Sequence, residues 1–496
     1  MESRSEEEDL GTLADRLVTL DRETTWVEFK ENNTDPREIG EYISALANSA
    51  ALEGRRRAYV MWGVVDEGHA VVGTTFRPES DKVGGEELEN WLLRQLTPQL
   101  YFRFHTFVYR GHTVVLLEIE PSAQRPVQFQ GAEFIRIGSY KKKLKDHRDH
   151  ERRLWRLFDT DTFENSAALD RLSVERITQL IDYPSYFSLV GTPLPENRSL
   201  ILETLEQAGI ISFDIATDWA ITNRGALLFA VDLNNFPSLS RKALRVIQYK
   251  GISRVTTIRE QIGQRGYASG FKGLVTYVSD LLPESEVIGR ALRTSTTAYP
   301  ELAVRELIAN ALIHQDLTIP GSGPMVEIFD DRLEITNPGV PLVEPERFID
   351  SPPQSRNERL ARMMRQMGIC EERGSGWDKI TSVIEFNQLP PPLVEVTEVH
   401  TRVVLFAARP LASMEKDDRI RAVYQHASLR WVNRQPMTNA TVRERFGIAQ
   451  RNSAQASRLI REALDARLIM AHDPTAGPRS IRYVPFWADP NRTGLS

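Results

Sequence analysis

The segment from Trp26 to Asp66 constrains the fold most, because its hydrophobic pattern changes period twice. Polar and apolar side chains alternate in WVEFK (26–30), which is typical of a short strand. Thr34 or Asp35 then offers a helix cap, and Pro36 suits a first helical turn. Apolar side chains follow at helical spacing, at Ile39, Tyr42, Ile43 and Leu46. The apolar run AYVMWGVVD predicts a second strand, so the chain begins as a compact α/β unit.

Composition bounds the class of protein. The 496 residues are 41% apolar and 26% charged, which is ordinary for a soluble protein. A chain of this length suits about three or four domains. There is no run of about 20 apolar residues, and the acidic start MESRSEEEDLG is unlike a secretory signal. We therefore expect a cytoplasmic location, no membrane partner, and a disordered tail over residues 1–14.

Charge and cysteine content exclude other classes. The single cysteine, Cys370, excludes an internal disulfide and any zinc site built from several cysteines. The net charge is −6, so any binding of nucleic acid must come from local basic patches.

The helical segment RELIANALIHQD predicts a nucleotide site. Glu306 and Asn310 stand one helical turn apart and share a face. Glu306 can then reach a water beside a terminal phosphate, while the amide oxygen of Asn310 binds a Mg²⁺ ion that bridges the phosphates. Gly374 and Gly376 precede another helix, where bare amides and a helix N-terminus suit phosphate oxygens. We predict ATP as the ligand.

The order of RELIANALIHQD, VEIFDDRLEITNPG and GSGWDKI resembles the Bergerat ATP-binding fold of the GHKL family, in the divergent form found beside Schlafen-like domains. The resemblance covers residues 285–408. It implies that Glu306 is the general base, that Asn310 is the magnesium ligand, and that His314 ends the same motif. Asn337 and Gly339 stand where the family has its adenine-contacting Asp-x-Gly, and Asn337 departs from it by carrying an amide donor.

A helicase motor is excluded by the residues. Such a motor needs a phosphate loop ending in Gly-Lys, and this chain contains no Gly-Lys dipeptide. We expect ATP to switch a conformation rather than to drive translocation.

The segments ETTWVEFK, ISALANS, GVVDEG and PVQFQGAEFIRIGS resemble the Schlafen AlbA-type domain, over residues 15–160. In nuclease members, two glutamates and an aspartate hold the metal that cleaves RNA, and that motif falls on Glu23, Glu28 and Asp66. Such carboxylates suit Mg²⁺ or Mn²⁺, and Lys30 could stabilise charge on the phosphorane. In the alternative, Glu28 has a structural role and pairs with Lys30 or with a neighbouring arginine.

Two basic segments are candidate nucleic-acid contacts. The loop after ALANS carries Arg55, Arg56 and Arg57, which are either phosphate contacts or a solvated charge run. A denser cluster follows in SYKKKLKDHRDHERRLWR, which suits a phosphate backbone or forms the basic face of a linker helix. Its first members are Lys141, Lys142, Lys143 and Lys145.

Two further domains complete the predicted organisation. Residues 165–285 form a connecting winged-helix-like domain, with a helix in NRSLILETLEQAGII, a turn at Gly209 and a strand-like ATDWAITNRGALLFA. Residues 286–410 form the ATP-binding domain. Residues 415–487 are predicted to form a winged helix-turn-helix, with Arg451 and Arg458 on the candidate DNA-contacting helix; packing or dimerisation is its alternative role.

The sequence thus predicts an α+β multidomain protein that binds ATP and nucleic acid, either RNA or DNA, and assembles as a homo-oligomer. The first hypothesis is an ATP-controlled protein with a metal-dependent endonuclease activity, which by resemblance suits anti-phage defence. The alternative is an ATP-responsive transcriptional regulator that binds DNA without cutting it.

Overall fold

The computed structural model describes residues 2–20, 24–160, 163–214, 218–288, 293–370, 376–473, 475, 477 and 481–488. The fold is a mixture of helices and several sheets, so the predicted α+β class is confirmed. The chain forms two compact units, one of residues 1–177 and 202–222 and one of residues 178–201 and 223–496. Across the described ranges, no helix combines the length and the apolar character needed to cross a bilayer.

The helices are α1 (Glu2–Val18), α2 (Pro36–Leu52), α3 (Leu88–Gln95), α4 (Arg148–Thr160), α5 (Val174–Leu180), α6 (Tyr183–Val190), α7 (Arg198–Gln207), α8 (Asn223–Phe229), α9 (Tyr267–Leu281), α10 (Glu301–His314), α11 (Glu358–Gln366), α12 (Gly376–Phe386), α13 (Lys416–Val432), α14 (Asn439–Arg445) and α15 (Ser453–Asp465).

The strands are β1 (Val27–Lys30), β2 (Ala58–Trp62), β3 (Lys82–Val83), β4 (Glu86–Glu87), β5 (Leu96–Thr97), β6 (Phe102–Tyr109), β7 (His112–Ile119), β8 (Gln128–Phe129), β9 (Ala132–Ile137), β10 (Tyr140–Lys143), β11 (Ala167–Leu172), β12 (Ile211–Asp214), β13 (Asp218–Thr222), β14 (Arg245–Tyr249), β15 (Thr257–Ile262), β16 (Glu284–Ile288), β17 (Arg293–Thr297), β18 (Met325–Ile328), β19 (Arg332–Pro338), β20 (Leu393–Val396), β21 (His400–Phe406), β22 (Ile469–Ala471) and β23 (Tyr483–Pro485).

The first unit begins with the predicted strand, helix and strand. β1 pairs parallel to β2 at one edge of a sheet ordered β1-β2-β7-β6. Asp35 caps α2, because its side chain accepts a hydrogen bond of 2.8 Å from the backbone N–H of Arg37, and Pro36 occupies the first turn. These three elements confirm the periodicity argument.

The predicted disordered tail is instead helical in the structure. Residues 1–14 fall largely within α1. Leu13, Ala14 and Leu17 are buried in the core of the first unit, and Leu10 packs against that core. Apolar residues at this helical spacing make the segment amphipathic despite its acidic start, so burial offsets the cost of ordering it.

The polar end of α2 is hydrogen-bonded to the sheet that contains β8 and β9. Asn48 donates to the carbonyl oxygens of Val127 and Phe134, at 3.0 and 2.9 Å, and accepts from the N–H of Val127 at 2.8 Å. Ser44 donates to Val127 O at 2.7 Å and accepts from Phe134 N–H at 3.1 Å. Because these side chains are fully buried, they satisfy backbone groups that water cannot reach. The ALANS motif is therefore a structural clasp between α2 and the strands β8 and β9.

The second unit is built on a six-stranded sheet ordered β15-β14-β18-β19-β21-β20. β14 and β18 are parallel, and the other pairs are antiparallel. α10 packs against β19 and against the helices α9 and α12. This helical layer positions the predicted nucleotide residues.

One segment differs from its predicted strand-like form. Within ATDWAITNRGALLFA, β13 ends at Thr222 and α8 continues from Asn223 to Phe229. Every residue of α8 is buried. An apolar run that is buried on all sides lacks the polar positions that distinguish a strand period from a helical one.

The C-terminal segment contains α13, α14 and α15 followed by the antiparallel pair β22 and β23. The predicted turn lies between α14 and α15, where Gly447 adopts a φ of +63°. The buried apolar residues of α15 are Ala456, Leu459, Ile460 and Ala463.

Replacing Asn48 tests the clasp. We expect Asn48→Ala to lower the free energy of unfolding by about 2–4 kcal/mol, because buried donors and acceptors of Val127 and Phe134 lose their partner. Urea unfolding followed by tryptophan fluorescence measures the change. Asn90→Ala, on the exposed face of α3, is the matched control and should change stability by less than about 0.5 kcal/mol. Equal effects of the two substitutions would show that the clasp does not stabilise the unit.

Candidate functional site

α10 presents the predicted catalytic and magnesium residues on one face. Glu306 is 2% exposed, whereas Asn310 is half-buried. Among the described residues, the amide of Asn310 has no hydrogen-bond partner, so it is free to bind a ligand.

The first residue of α12 lies directly against this pair. A Cβ atom built on Gly376 would stand 3.5 Å from Glu306 Oε2 and 3.9 Å from Asn310 Nδ2. Gly376 therefore brings the N-terminus of α12 to within van der Waals reach of the two polar groups. The first N–H groups of a helix have no partner within the helix, and its N-terminus is the positive end of the helix dipole. The structure thus brings together Glu306, Asn310 and Gly376, while Gly374 lies outside the described residues.

Two buried polar atoms on α12 are left unsatisfied near its start. Asp378 Oδ1 and Thr381 Oγ1 have no hydrogen-bond partner among the described residues. Burial, with a contribution from Asp350, raises the pKa of Asp378 to about 6. Unpaired buried polar atoms are costly in a folded protein, so their presence beside the candidate phosphate end fits a site completed by a polar ligand.

The end of β19 lies beside the C-terminus of α10. The N–H of Asp316 donates to Pro338 O at 2.8 Å. Gly339 has a φ of +97°, and a Cβ there would lie 2.9 Å from Asp316 Cβ, so the close approach requires glycine. Asn337 is buried and its Nδ2 donates to Pro338 O at 3.2 Å. One N–H of the Asn337 amide is therefore engaged within the protein.

His314 completes this end of α10. The residue remains accessible to solvent, although protein surrounds it. Desolvation by the surrounding protein, together with the nearby Arg356, lowers the pKa of His314 to about 4. The ring is therefore neutral at pH 7.

The segment after Gly339 is anchored to the same helix end. Asn357 is buried and donates to the carbonyl oxygens of Ile313 and Gln315, both at 2.8 Å. Arg356 contacts Asp316 Oδ2 at 3.2 Å. α11 follows and buries an apolar face. These contacts were not predicted from the sequence; the asparagine preceding α11 was the available signal, because Asn commonly satisfies helix-end groups.

In the first unit, the predicted metal ligands Glu28 and Asp66 lie beside cationic side chains. Glu28 is 2% exposed, its Oε1 contacts Lys30 Nζ at 2.5 Å, and its Oε2 contacts the guanidinium of Arg136. Lys30 Nζ also lies 3.9 Å from Asp66 Oδ2. Glu28, Lys30 and Asp66 are therefore brought together, whereas Glu23 lies outside the described residues. Arg136 was missed by sequence reasoning, although it belongs to the EFIRIGS segment that supports the Schlafen resemblance.

Glu28 offers a divalent metal no oxygen that lacks a cationic partner. Each carboxylate oxygen of Glu28 is engaged by a cation, and a bound metal would have to displace Lys30 or Arg136. Within the described ranges, no group of three or more His, Cys, Asp or Glu side chains is arranged to hold a metal ion. The observed arrangement is the ion-paired alternative raised by the sequence.

The three arginines after α2 are engaged within the first unit. Arg57 Nε contacts Glu118 at 2.9 Å, and Arg56 donates to Ser212 Oγ at 2.8 Å. Arg55 packs over the ring of Trp26, 4.7 Å from its centroid. In this conformation each of the three guanidinium groups has a partner within the protein.

The lysine cluster is more accessible. Lys142, Lys143 and Lys145 are exposed on and after the edge strand β10, whereas Lys141 pairs with Glu41 at 2.6 Å. Lys142 also lies over the ring of the exposed Tyr140. In the C-terminal segment, Arg451 and Arg458 are exposed; Arg458 lies opposite the buried face of α15, whereas Arg451 lies in the short turn Gln450–Asn452 before that helix.

Two regions of the chain match known families. Residues 23–145 match the family model described as Schlafen, AlbA_2. Residues 321–405 match the model described as putative ATP-dependent DNA helicase recG C-terminal. This order confirms the predicted Schlafen AlbA-type region followed by a GHKL-like region. The second match includes Asn337, Gly339 and Gly376 but begins after α10, so Glu306, Asn310 and His314 lie outside it.

Likeness to solved structures is distant. The DIP2311 protein from Corynebacterium diphtheriae is similar over 96% of this chain and 97% of its own, with 16% identity and a TM-score of 0.42. The N-terminal domain of a putative ATP-dependent DNA helicase RecG-related protein from Nitrosomonas europaea is similar over 27% of this chain and 90% of its own, with 22% identity and a TM-score of 0.19. No curated protein matches the chain.

The matches define a multidomain α+β protein with a nucleic-acid-related function that includes nucleotide binding. Its N-terminal region is of the Schlafen AlbA type, and its later ATPase-like region is GHKL-like.

The lowered pKa of His314 predicts a pH dependence of stability. The folded-state value of about 4 lies below the ordinary value of about 6.5, so the unfolded chain takes up the proton first as the pH falls. The free energy of unfolding should therefore decrease between pH 6.5 and pH 4, and less so in His314→Gln. Urea unfolding at pH 7 and pH 5 measures the difference, with His112→Gln, at an exposed histidine, as the control. Equal losses in wild type and His314→Gln would contradict the assignment.

Proposed function

We propose that this chain binds ATP between α10, the start of α12 and the end of β19, and that the nucleotide controls nucleic-acid binding. The observation that carries the proposal is the position of Gly376, which places a helix N-terminus against Glu306 and Asn310. Helix N-termini with a glycine at the contact are suited to phosphate oxygens.

Each residue of this site has a distinct role in the proposal. Asn310 would hold the Mg²⁺ ion through its amide oxygen, and the ion would neutralise charge on the bound phosphates. Glu306, buried beside the same space, would orient or deprotonate a water for attack on the terminal phosphate. Asn337 would accept a hydrogen bond from the adenine amino group, and the neutral His314 would line the depression without adding charge.

The control step would operate through the segment that follows Gly339. Asn357 and Arg356 hold this segment to the C-terminal end of α10. A nucleotide that contacts α10 and Asn337 would bind more tightly to one conformation of the Asn357 and Arg356 contacts than to another. A ligand shifts a conformational equilibrium through such a difference in affinity.

The nucleic-acid interface is proposed on accessible cations. Lys142, Lys143 and Lys145 are exposed beside Tyr140, which offers a ring for stacking. The C-terminal segment would act as a winged helix-turn-helix, with Arg451 and Arg458 as candidate DNA contacts.

The proposal also includes assembly of the chain as a homo-oligomer. Light scattering with and without ATP measures the mass of the assembly.

Isothermal titration with Mg²⁺ and ATP tests the nucleotide site. We expect Asn310→Ala and Gly376→Val to weaken ATP binding at least tenfold, the first by removing the magnesium ligand and the second by filling the space beside Glu306. Gly273→Val is the matched control, because a side chain at that helical glycine of α9 meets open space. ATP affinity equal to that of wild type in both site variants would rule out this site.

A second candidate function is metal-dependent cleavage of nucleic acid, which would suit an ATP-gated defence against phage. The observation in its favour is that Lys30 brings the family positions Glu28 and Asp66 together. The cations on Glu28 oppose it, so we favour binding without cleavage, as in the regulator hypothesis.

A nuclease assay separates the two candidates. We expect no cleavage of tRNA, single-stranded DNA or duplex DNA with Mn²⁺, with or without ATP, because Arg136 and Lys30 occupy both oxygens of Glu28. Glu28→Gln is compared with Glu89→Gln, at an exposed position of α3. Cleavage that disappears in Glu28→Gln and persists in Glu89→Gln would establish the nuclease and overturn our preference.

A further inference from the structure

A groove crosses the six-stranded sheet of the second unit along a single cross-strand row. The strand registers place one residue from each strand in this row. In order across the sheet, these residues are Ile262, Arg245, Met325, Thr336, Arg402 and Glu395.

The groove lies on the sheet face away from the candidate ATP site. Successive side chains of a strand point to opposite faces, so Thr336 and Asn337 face opposite ways. Asn337 belongs to the nucleotide side, where α10 packs against β19. On β14, Gln248 and Arg245 are three residues apart, so their side chains point to opposite faces of the sheet. Gln248 donates a hydrogen bond to Leu281 O at the end of α9. The helical layer therefore covers the opposite face from the row.

Cations dominate the lining of the groove, which has a volume of about 710 Å³. Arg241, Arg245, His400 and Arg402 line it, and among its described lining residues Glu395 is the one carboxylate. Arg245 is held by Glu260 at 2.6 Å, and Arg402 by Glu395 at 3.1 Å and by the buried Glu334 at 3.4 Å, which fixes the two guanidinium groups. A guanidinium has five N–H donors, so the donors outside these contacts remain for a ligand. Arg241 is exposed and has no ion-pair partner in the described part of the chain.

One wall of the groove is built on a buried lysine. Lys242 is 3% exposed, and its ammonium donates to the carbonyl oxygens of Ile319 and Ser322, at 2.5 and 3.2 Å. Gly323 packs so closely that a Cβ would lie 2.1 Å from Arg241 O. The wall is thus fixed, and its supporting ammonium adds positive charge behind the groove.

The shape of the groove selects a linear polyanion over a compact one. Arg245 and Arg402 are separated by three inter-strand spacings, or about 14 Å between Cα atoms, which is more than one phosphate group spans. Hydroxyl groups of Ser240, Ser322 and Thr397 lie between and beside the cations as further hydrogen-bond partners. Phe, Tyr and Trp do not occur among the described lining residues, so the groove offers little to distinguish one base from another.

We propose that this groove binds the phosphate backbone of single-stranded nucleic acid, so that the sheet contacts ATP on one face and nucleic acid on the other. The proposal rests on the proposed function, whose nucleic-acid contacts it extends to the second unit. Binding is driven by guanidinium–phosphate contacts and the release of counterions, and it is largely independent of sequence.

Fluorescence anisotropy of the full-length protein with labelled oligo(U) RNA and oligo(dT) DNA tests this groove. We expect Arg241→Glu to weaken binding of both oligonucleotides roughly fivefold or more at low salt. The slope of the logarithm of the binding constant against the logarithm of the salt concentration should become shallower by about one, because one fewer counterion is released. Thr397→Lys adds a cation at the rim and should tighten binding. Arg259→Glu makes the same charge change on β15 outside the lining and should match wild type.

The outcomes separate this proposal from the proposed function. If Arg241→Glu and Arg259→Glu both match wild type, the groove does not bind nucleic acid; a loss in Lys142→Glu/Lys143→Glu would then leave the first-unit interface in place. If the wild-type protein binds neither oligonucleotide, the groove and the nucleic-acid part of the proposed function both fail. If Arg241→Glu weakens inorganic pyrophosphate binding but not oligonucleotide binding, the groove takes small anions and the proposal is wrong. Unchanged ATP affinity in every variant confirms that the nucleotide site is intact.

Discussion

The buried polar end of α2 is the interaction on which the first unit depends. Ser44 and Asn48 hold the backbone at Val127 and Phe134, and Ser49 Oγ accepts a hydrogen bond of 2.9 Å from the N–H of Arg136. The clasp therefore sets the position of β9, and β9 carries the arginine that reaches Glu28. A run of small polar residues on a helix thus determines the electrostatics of a site on a different strand.

That electrostatic arrangement changes what a shared motif can do. A carboxylate surrounded by other carboxylates attracts a divalent cation, whereas one already paired with lysine and arginine is neutralised and expensive to disturb. Glu28 is of the second kind. A carboxylate at a family position can therefore have a structural role.

Local patterns were readable from the sequence, and distant pairings were not. The Asp35 cap, the strands β1 and β2 and the helix of Glu306 follow from periodicity and cap chemistry within a few residues. Arg136 meets Glu28 only because α2 and β9 fold together, and single-sequence reasoning does not register such contacts. The all-buried α8 was misread for a different reason, since it lacks a polar face.

The parallel pairing of β14 with β18 has a consequence for the order of folding. These strands lie far apart in the sequence, and α9 and α10 occupy the connection between them. Non-local parallel pairs form late, because the intervening loop must be closed first. During synthesis, the helix that carries Glu306 and Asn310 therefore emerges before its sheet can close. Its buried face must await β18, β19 and β21, which makes this interval the one in which the nascent chain is most exposed to aggregation and to chaperones.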